Sequence, residues 1–290
     1  MKTLFRLLSI SILGICVFTK STNAQQKNDP NALLWEISGK GLTKPSYLYG
    51  TIHMICTADF ILSNNTKKAL DAAEQLVLEL NFNDTAELKA MEEGMSSAIP
   101  LSKKLTARQF EQVDSVLTLK TGVSLKKLDK LTLTSVYSFA ISQTLPCKDI
   151  KSYEQEFLKL AKATQKPIAA LETVKEQFYY FGKSYPDDAM VGQIIAFDQY
   201  KEIFNEVILA YKEENLDVLY PLIKNKKFGS TPESNQWMLS ARNTNWAKKM
   251  PQMMKDKSCF FAVGAGHLAG KDGIIQLLRA SGYQVKAILK

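Results

Sequence analysis

Short apolar runs stand near both ends of the chain, and amphipathic stretches fill its middle. Leu33-Leu34-Trp35-Glu36-Ile37-Ser38 predicts a strand, Gly39-Lys40-Gly41 with Pro45 a turn, and residues 46–52 a second strand, together a hairpin. Residues 67–75 have helical composition, and Leu76-Val77-Leu78-Glu79-Leu80 is again strand-like. From Asp84 to about Lys166 the pattern turns helical. Thr106 followed by Gln109 is a capping-box signal, Phe110, Val113 and Leu117 share one face, and Gly122 ends the pattern. Residues 152–164 form another amphipathic stretch, 167–171 a short buried strand, and 173–250 are mostly helical with breaks around Pro186 and Pro232. The end returns to strand texture: 259–263, then a helix over 272–280 closed by Gly282, then a strand over 283–289. Strands at both ends with helices between predict an α+β protein with one mixed sheet assembled from distant segments. With no boundary rich in Pro, Gly or Ser, residues 33–290 are expected to form a single domain carrying a large helical insertion.

The first residues follow a different logic. Lys2 and Arg6 precede an apolar run, Leu7 to Phe18, and Ser21-Thr22-Asn23-Ala24 supplies small residues for cleavage. That is the layout of a secretory signal peptide over residues 1–24, cleaved after about Ala24, with a run too short to span a bilayer comfortably. Residues 25–32 then read as a polar tether. The expectation is export, to a periplasm or beyond, with no transmembrane span in the mature chain.

At 290 residues and 46% hydrophobic the chain can bury a full core. Its formal charge of +8 falls by the three bases Lys2, Arg6 and Lys20 on cleavage. The small lysine clusters at Lys126, Lys127 and Lys130, and at Lys224, Lys226 and Lys227, lack interleaved aromatic residues, so a nucleic-acid partner is not expected. Cys56, Cys147 and Cys259 survive cleavage; their spacing matches no zinc motif, and export permits a disulfide. Cys56–Cys147 is the favoured pair because Cys259 opens a core-like strand, with three free thiols as the alternative. Oligomeric state is not legible.

Chemistry concentrates on the only two histidines. His53 and His267 each stand three residues after a glycine, in Gly50-Thr51-Ile52-His53 and Gly264-Ala265-Gly266-His267, and each motif follows an apolar run. Glycine at a strand end permits a tight turn or a close approach. The imidazole beyond it then sits at the sheet rim, where ligand sites of such sheets occur. Glu79 interrupts an apolar run, and a carboxylate there is costly unless paired or metal-bound. Two imidazoles and a carboxylate form a metal-ligand set with open positions for water, the pattern of metal-assisted hydrolysis. The alternatives are that each histidine packs alone and that Glu79 points outward.

The chain resembles the TraB/GumN family, which includes the Tiki metalloproteases. The resemblance is carried by Tyr49-Gly50-Thr51-Ile52-His53-Met54, Leu78-Glu79-Leu80, Lys166-Pro167-Ile168, Leu171-Glu172-Thr173 with Gln177, Arg242-Asn243 with Trp246, and Val263-Gly264-Ala265-Gly266-His267-Leu268 with Gly270. It implies a core similar to erythromycin esterase and ChaN-like proteins, and a divalent-metal-dependent hydrolase of peptidase type. Manganese or cobalt is the metal by resemblance, with zinc also chemically possible. Carried over, His53 and His267 become metal-binding, Glu79 a ligand or general base, Arg242 a cationic residue able to hold a carboxylate or oxyanion, and Glu172 a supporting residue. Gly50 and Gly264 shape the motifs. Arg242 could instead form a surface salt bridge, and Glu172 could serve only as a helix-terminal charge. A peptide or protein would be the substrate or ligand. A non-catalytic peptide- or pheromone-sequestering module, or a haem- or metal-binding protein, is the competing reading.

Overall fold

A computed structural model describes residues 29–290. The expected leader, and the first half of the tether, lie outside the described residues. Among those described, no helix is long and apolar enough to cross a membrane.

Six strands form the main sheet: β1 (Leu34–Ser38), β2 (Ser46–Thr51), β4 (Gln75–Leu78), β6 (Ile168–Ala170), β7 (Cys259–Gly264) and β8 (Gln284–Ile288). Two two-residue strands, β3 (Ile55–Cys56) and β5 (Ile150–Lys151), pair separately. The spatial order is β6-β4-β7-β2-β1-β8. β6, β4, β7 and β2 are mutually parallel, and β1 runs antiparallel to both β2 and β8. The result is a mixed α/β fold around a mixed sheet. The predicted hairpin is β1–β2, and its turn takes φ of 82°, 48° and 80° at Gly39, Lys40 and Gly41. The first and last of these favour glycine sterically.

β7 lies at the centre because its sequence allows nothing else: Cys259 to Val263 are buried without a break, as a strand covered on both faces requires. Register then sets the upper rim. Leu78 pairs with Ala262 and with Ala170, and Thr51 pairs with Gly264. The four parallel strands therefore end nearly level, each just before a residue that the sequence had marked.

The helical middle carries its own hydrophobic cluster, from Leu101 to Ile194, beside the larger cluster built on the sheet; Ile141 packs against both. The capping box at Thr106 and Gln109 forms as predicted, opening the helix Ala107–Thr121, which Gly122 closes at φ 73°. Helix starts elsewhere were misplaced by a few residues. The helix predicted from Lys67 begins at Asn64, because the Ser63 side chain caps it by accepting from the Thr66 N–H. β3 and β5 are held together by the Cys56–Cys147 disulfide, and Cys259 is a buried free thiol.

Candidate active site at the strand ends

Each of the four parallel strands delivers one ionisable side chain to the same rim. Glu172 follows β6, Glu79 follows β4, His267 follows β7 through the short turn Ala265–His267, and His53 follows β2. Ligand sites of α/β sheets lie beyond the carboxyl ends of the strands for this geometric reason. A fifth residue arrives from outside the sheet. The π-helical turn Gln236–Ala241 passes directly into the helix Arg242–Asp256, and Arg242 at its start reaches into the rim.

Arg242 is the hub. Its Nη2 donates to Glu79 Oε2 at 2.6 Å and to Glu172 Oε1 at 2.7 Å. Nε lies 3.2 Å from both Glu172 oxygens. Nη1 donates to the Met238 carbonyl at 3.2 Å and contacts His267 Nε2 at 3.1 Å. The guanidinium stacks on Trp246, 4.6 Å from the ring centre, and the Trp246 Nε1–H donates to Glu172 Oε2. With 3% of its side chain exposed, Arg242 is no surface salt bridge. All five of its N–H donors find acceptors within the protein. Nothing on the guanidinium is left over for a substrate oxyanion, so in this arrangement it is an anchor.

The tautomer of each histidine follows from its neighbours. Asn243 Nδ2 donates to the carbonyls of Asp272 and His267, which turns its Oδ1 toward His267 Nδ1 at 2.6 Å. Nδ1 of His267 therefore carries the proton, and Nε2 is an acceptor. Burial first, then the Arg242 charge, lowers the His267 pKa to about 3, so the ring is neutral. His53 Nδ1 sits 2.9 Å from Glu154 Oε1, and Thr51 and Ser152 hydroxyls donate to the same carboxylate at 2.5 and 2.7 Å. Surrounding protein mass lowers the His53 pKa, but the Glu154 charge and hydrogen bond outweigh it and raise it to about 9. The ring nevertheless opens onto a cleft, with 63% of the side chain accessible to water.

The two carboxylates on Arg242 shift in opposite directions. Burial pushes Glu79 up, yet Arg242, both histidines and the Gly264 N–H at 2.7 Å bring it down to about 2. Burial dominates at Glu172 and raises it, since Arg242 is shared and the Glu79 charge adds to the rise. Glu79 is thus buried rather than turned outward, and its weak proton affinity suits a ligand or anchor better than a base.

The two motif glycines do different work. Neither has positive φ; Gly264 leads directly into the short turn Ala265–His267, and both provide close approach. A Cβ at Gly50 would meet Leu268 Cδ1 at 2.5 Å, whereas one at Gly264 would stand 3.4 Å from Glu79 Oε1, 3.6 Å from His267 Cδ2 and 3.7 Å from His53 Nε2. Gly264 therefore leaves a small open spot where the three predicted ligands meet. Each histidine has Nδ1 tied down, as metal-binding imidazoles generally do; His53 Nε2 is left for that spot, whereas His267 Nε2 is taken by Arg242. In its donor chemistry this set fits a divalent cation. Among the described residues no group of three His, Cys, Asp or Glu side chains is yet drawn to ion-binding distance, because Arg242 holds His267 Nε2 and one Glu79 oxygen.

Glu154 was not foreseen. It stands two residues into a helix start capped by Ser152, where an acid is ordinary. Only the fold brings it to His53.

The sequence profile of the TraB/PrgY/gumN family matches residues 33–287. The chain belongs to this family. Among curated relatives it is 23% identical over 331 residues to a Metalloprotease TIKI homolog of Nematostella vectensis, covering 91% of this chain and 68% of that protein. It is 23% identical over 333 residues to Metalloprotease TIKI2 of Xenopus tropicalis, covering 94% of this chain and 62% of that protein. The chain thus spans about two thirds of the length of these relatives. No solved structure matches.

Proposed function

We propose that this protein is an exported hydrolase of peptide bonds whose working site is the rim of the parallel strands in the single domain 33–290. The observation that carries the reading is the convergence of His53, Glu79 and His267 on the open spot at Gly264, in a chain whose relatives are named metalloproteases. The kinship of the core to erythromycin esterase and ChaN-like proteins belongs to the same reading.

His53 Nε2 and Glu79 Oε1 would hold a divalent cation, manganese, cobalt or zinc, with His267 Nε2 as third ligand in place of its bond to Arg242. Bound there, the cation polarises a carbonyl and lowers the pKa of water. Glu154 orients His53 and fixes its tautomer; Asn243 does the same for His267. Arg242 offsets the charge of Glu79 and Glu172 and keeps both carboxylates in place. Trp246 closes the apolar side of the site, its ring 4.5 Å from that of His267.

Elemental analysis and calorimetry with manganese, cobalt and zinc would test this on the purified protein, beside His53→Ala and His267→Ala and with peptide turnover followed in parallel. Stoichiometric binding and turnover lost together in both variants is the expected result. Turnover retained in both variants would refute it. Export is tested by the mass of the secreted protein, which should begin at about residue 25. The aromatic-lined cavity behind His53 favours a second reading, a peptide-sequestering protein. That reading predicts saturable peptide binding which survives chelation, with no cleavage.

A further inference from the structure

His53 stands between two cavities. In front lies an open cleft of about 690 Å³, which also reaches Glu79, Glu154 and the apolar side chains of Leu80, Phe82 and Leu88. Behind lies a narrower cavity of about 320 Å³, whose floor includes His53, Arg242, Gly264 and His267. The walls of the rear cavity come from the helical insertion: Tyr137, Phe181, Tyr185, Tyr200, Phe204 and Tyr211 all line it. It therefore opens between the two hydrophobic clusters, where a binding pocket between packed units is commonly found.

Resting on the hydrolase reading, we propose that the rear cavity is the specificity pocket, taking an apolar, ring-bearing side chain of the substrate next to the bond at the strand ends. The front cleft holds the extended chain.

Three observations support this occupant. Apart from the site's own His53, His267 and Arg242, the lining contains no ionisable acid or base other than tyrosine, so a cationic side chain would find no partner there, and His53 is given to the cation in the reading on which this rests. Arg242 is spent on Glu79, Glu172, His267 and Met238 and offers no free donor to an acidic group. An aromatic wall is also shaped for rings, which pack edge to face or offset against one another. The local backbone keeps the space open. Gly266 faces the cavity, and a Cβ on it would press to 3.2 Å from Ile223 Cδ1. The π-helical turn supplies Met238 and Leu239 to the opposite side, and such turns recur at functional sites.

The test is binding by probes that contain no reason to be cut. N-acetyl-phenylalaninamide, N-acetyl-glycinamide and N-acetyl-aspartamide are titrated by calorimetry or ligand-observed NMR into the wild-type chain, Leu239→Trp and Leu239→Ala. The expected result is phenylalanine binding about tenfold or more tighter than glycine, with the aspartate probe weakest. Leu239→Trp fills the pocket and should remove that preference. Leu239→Ala enlarges it and should let N-acetyl-tryptophanamide match or exceed the phenylalanine probe, which keeps the test open if the tryptophan variant does not fold. Equal affinity for all three probes, no binding of the phenylalanine probe, or unchanged preference in the folded Leu239 variants would overturn the inference. Turnover is not needed for this readout. Ring-selective binding without hydrolysis of any peptide keeps the pocket and refutes the enzyme; hydrolysis without side-chain preference does the reverse.

Discussion

Replacing Glu154 by glutamine removes one negative charge while keeping the side chain's size and most of its hydrogen-bonding capacity toward Thr51 and Ser152. The carboxylate lies 2.9 Å from His53 Nδ1, and it is the main reason that the imidazole titrates at about 9 instead of near its ordinary 6.5. Removing an opposite charge at that distance lowers a histidine midpoint by roughly one to two pH units. The low end of that range is the better expectation, since the ring is 63% exposed and water screens the pair. The assay is direct because the chain has only two histidines. In an untagged protein, a carbon–proton correlation spectrum shows two imidazole Cε1 signals. His267, held at about 3, stays still between pH 5 and 10, so the single moving signal is His53.

The pH dependence of stability gives the same pair a second signature. His53 is raised on folding, so its contribution is complete below its ordinary 6.5 and is lost as pH rises through about 9. Glu154 is lowered to about 2 against burial, mainly by the His53 charge, so its contribution is complete above its ordinary 4.5 and is lost as pH falls through about 2. The wild type should therefore exceed Glu154→Gln most between pH 4.5 and 6.5, with the difference closing on either side. A wild-type midpoint near 6.5, or the same midpoint in both proteins, would refute the pairing and with it the role of Glu154 in orienting His53.

Three further outcomes follow from the same contacts. Arg242→Met leaves Glu79 and Glu172 buried without their cation and should cost about 3–5 kcal/mol in denaturant unfolding; a loss below about 1 kcal/mol would mean that the site is not packed as described. Gly264→Ala meets only ordinary contacts and should fold normally while losing cation binding and turnover, whereas Gly50→Ala collides with Leu268 and should cost about 1–3 kcal/mol in stability; equal thermal losses in the two would erase the distinction drawn between the motif glycines. Replacing Cys56 and Cys147 by serine opens a link spanning 91 positions and should destabilise the chain by about 2–4 kcal/mol, read by chemical denaturation with and without reductant.

The site was legible to the extent that one residue signalled it by breaking a local pattern. Glu79 inside an apolar strand, and two histidines at one offset from glycine, stand out without any partner in view. Glu172 and Arg242 were marked only by resemblance, because a charge after a strand or on a helix is ordinary until burial makes it otherwise. Glu154 gave no signal at all: its neighbours in sequence explain it as a cap residue, and its partner His53 lies 101 positions away. The main strands were found within a residue or two because continuous apolar runs mark them. β3 and β5 were missed because two residues cannot show a period. The parallel pairing that levels the rim depends on contacts between segments far apart in the chain, such as Leu76 with Ile168 and Tyr47 with Phe260, and no local pattern encodes it.

Charge balance ties the cation to the protein that surrounds it. With both carboxylates ionised, Glu79 and Glu172 outweigh Arg242 by one negative charge in a region almost closed to water. Protonated His53 and Glu154 cancel each other beside it. A divalent cation that enters as His53 releases its proton adds two positive charges and removes one, which leaves the whole group neutral. Binding should then release close to one proton per cation at neutral pH, measurable by calorimetry in buffers of different ionisation enthalpy. In Glu154→Gln about half of the His53 proton is already lost near pH 8, so the release shrinks there while the charge balance shifts by one unit against neutrality. Cation binding that releases no proton in the wild type would mean that His53 is not a ligand, and the site would have to be built on Glu79 and His267 alone.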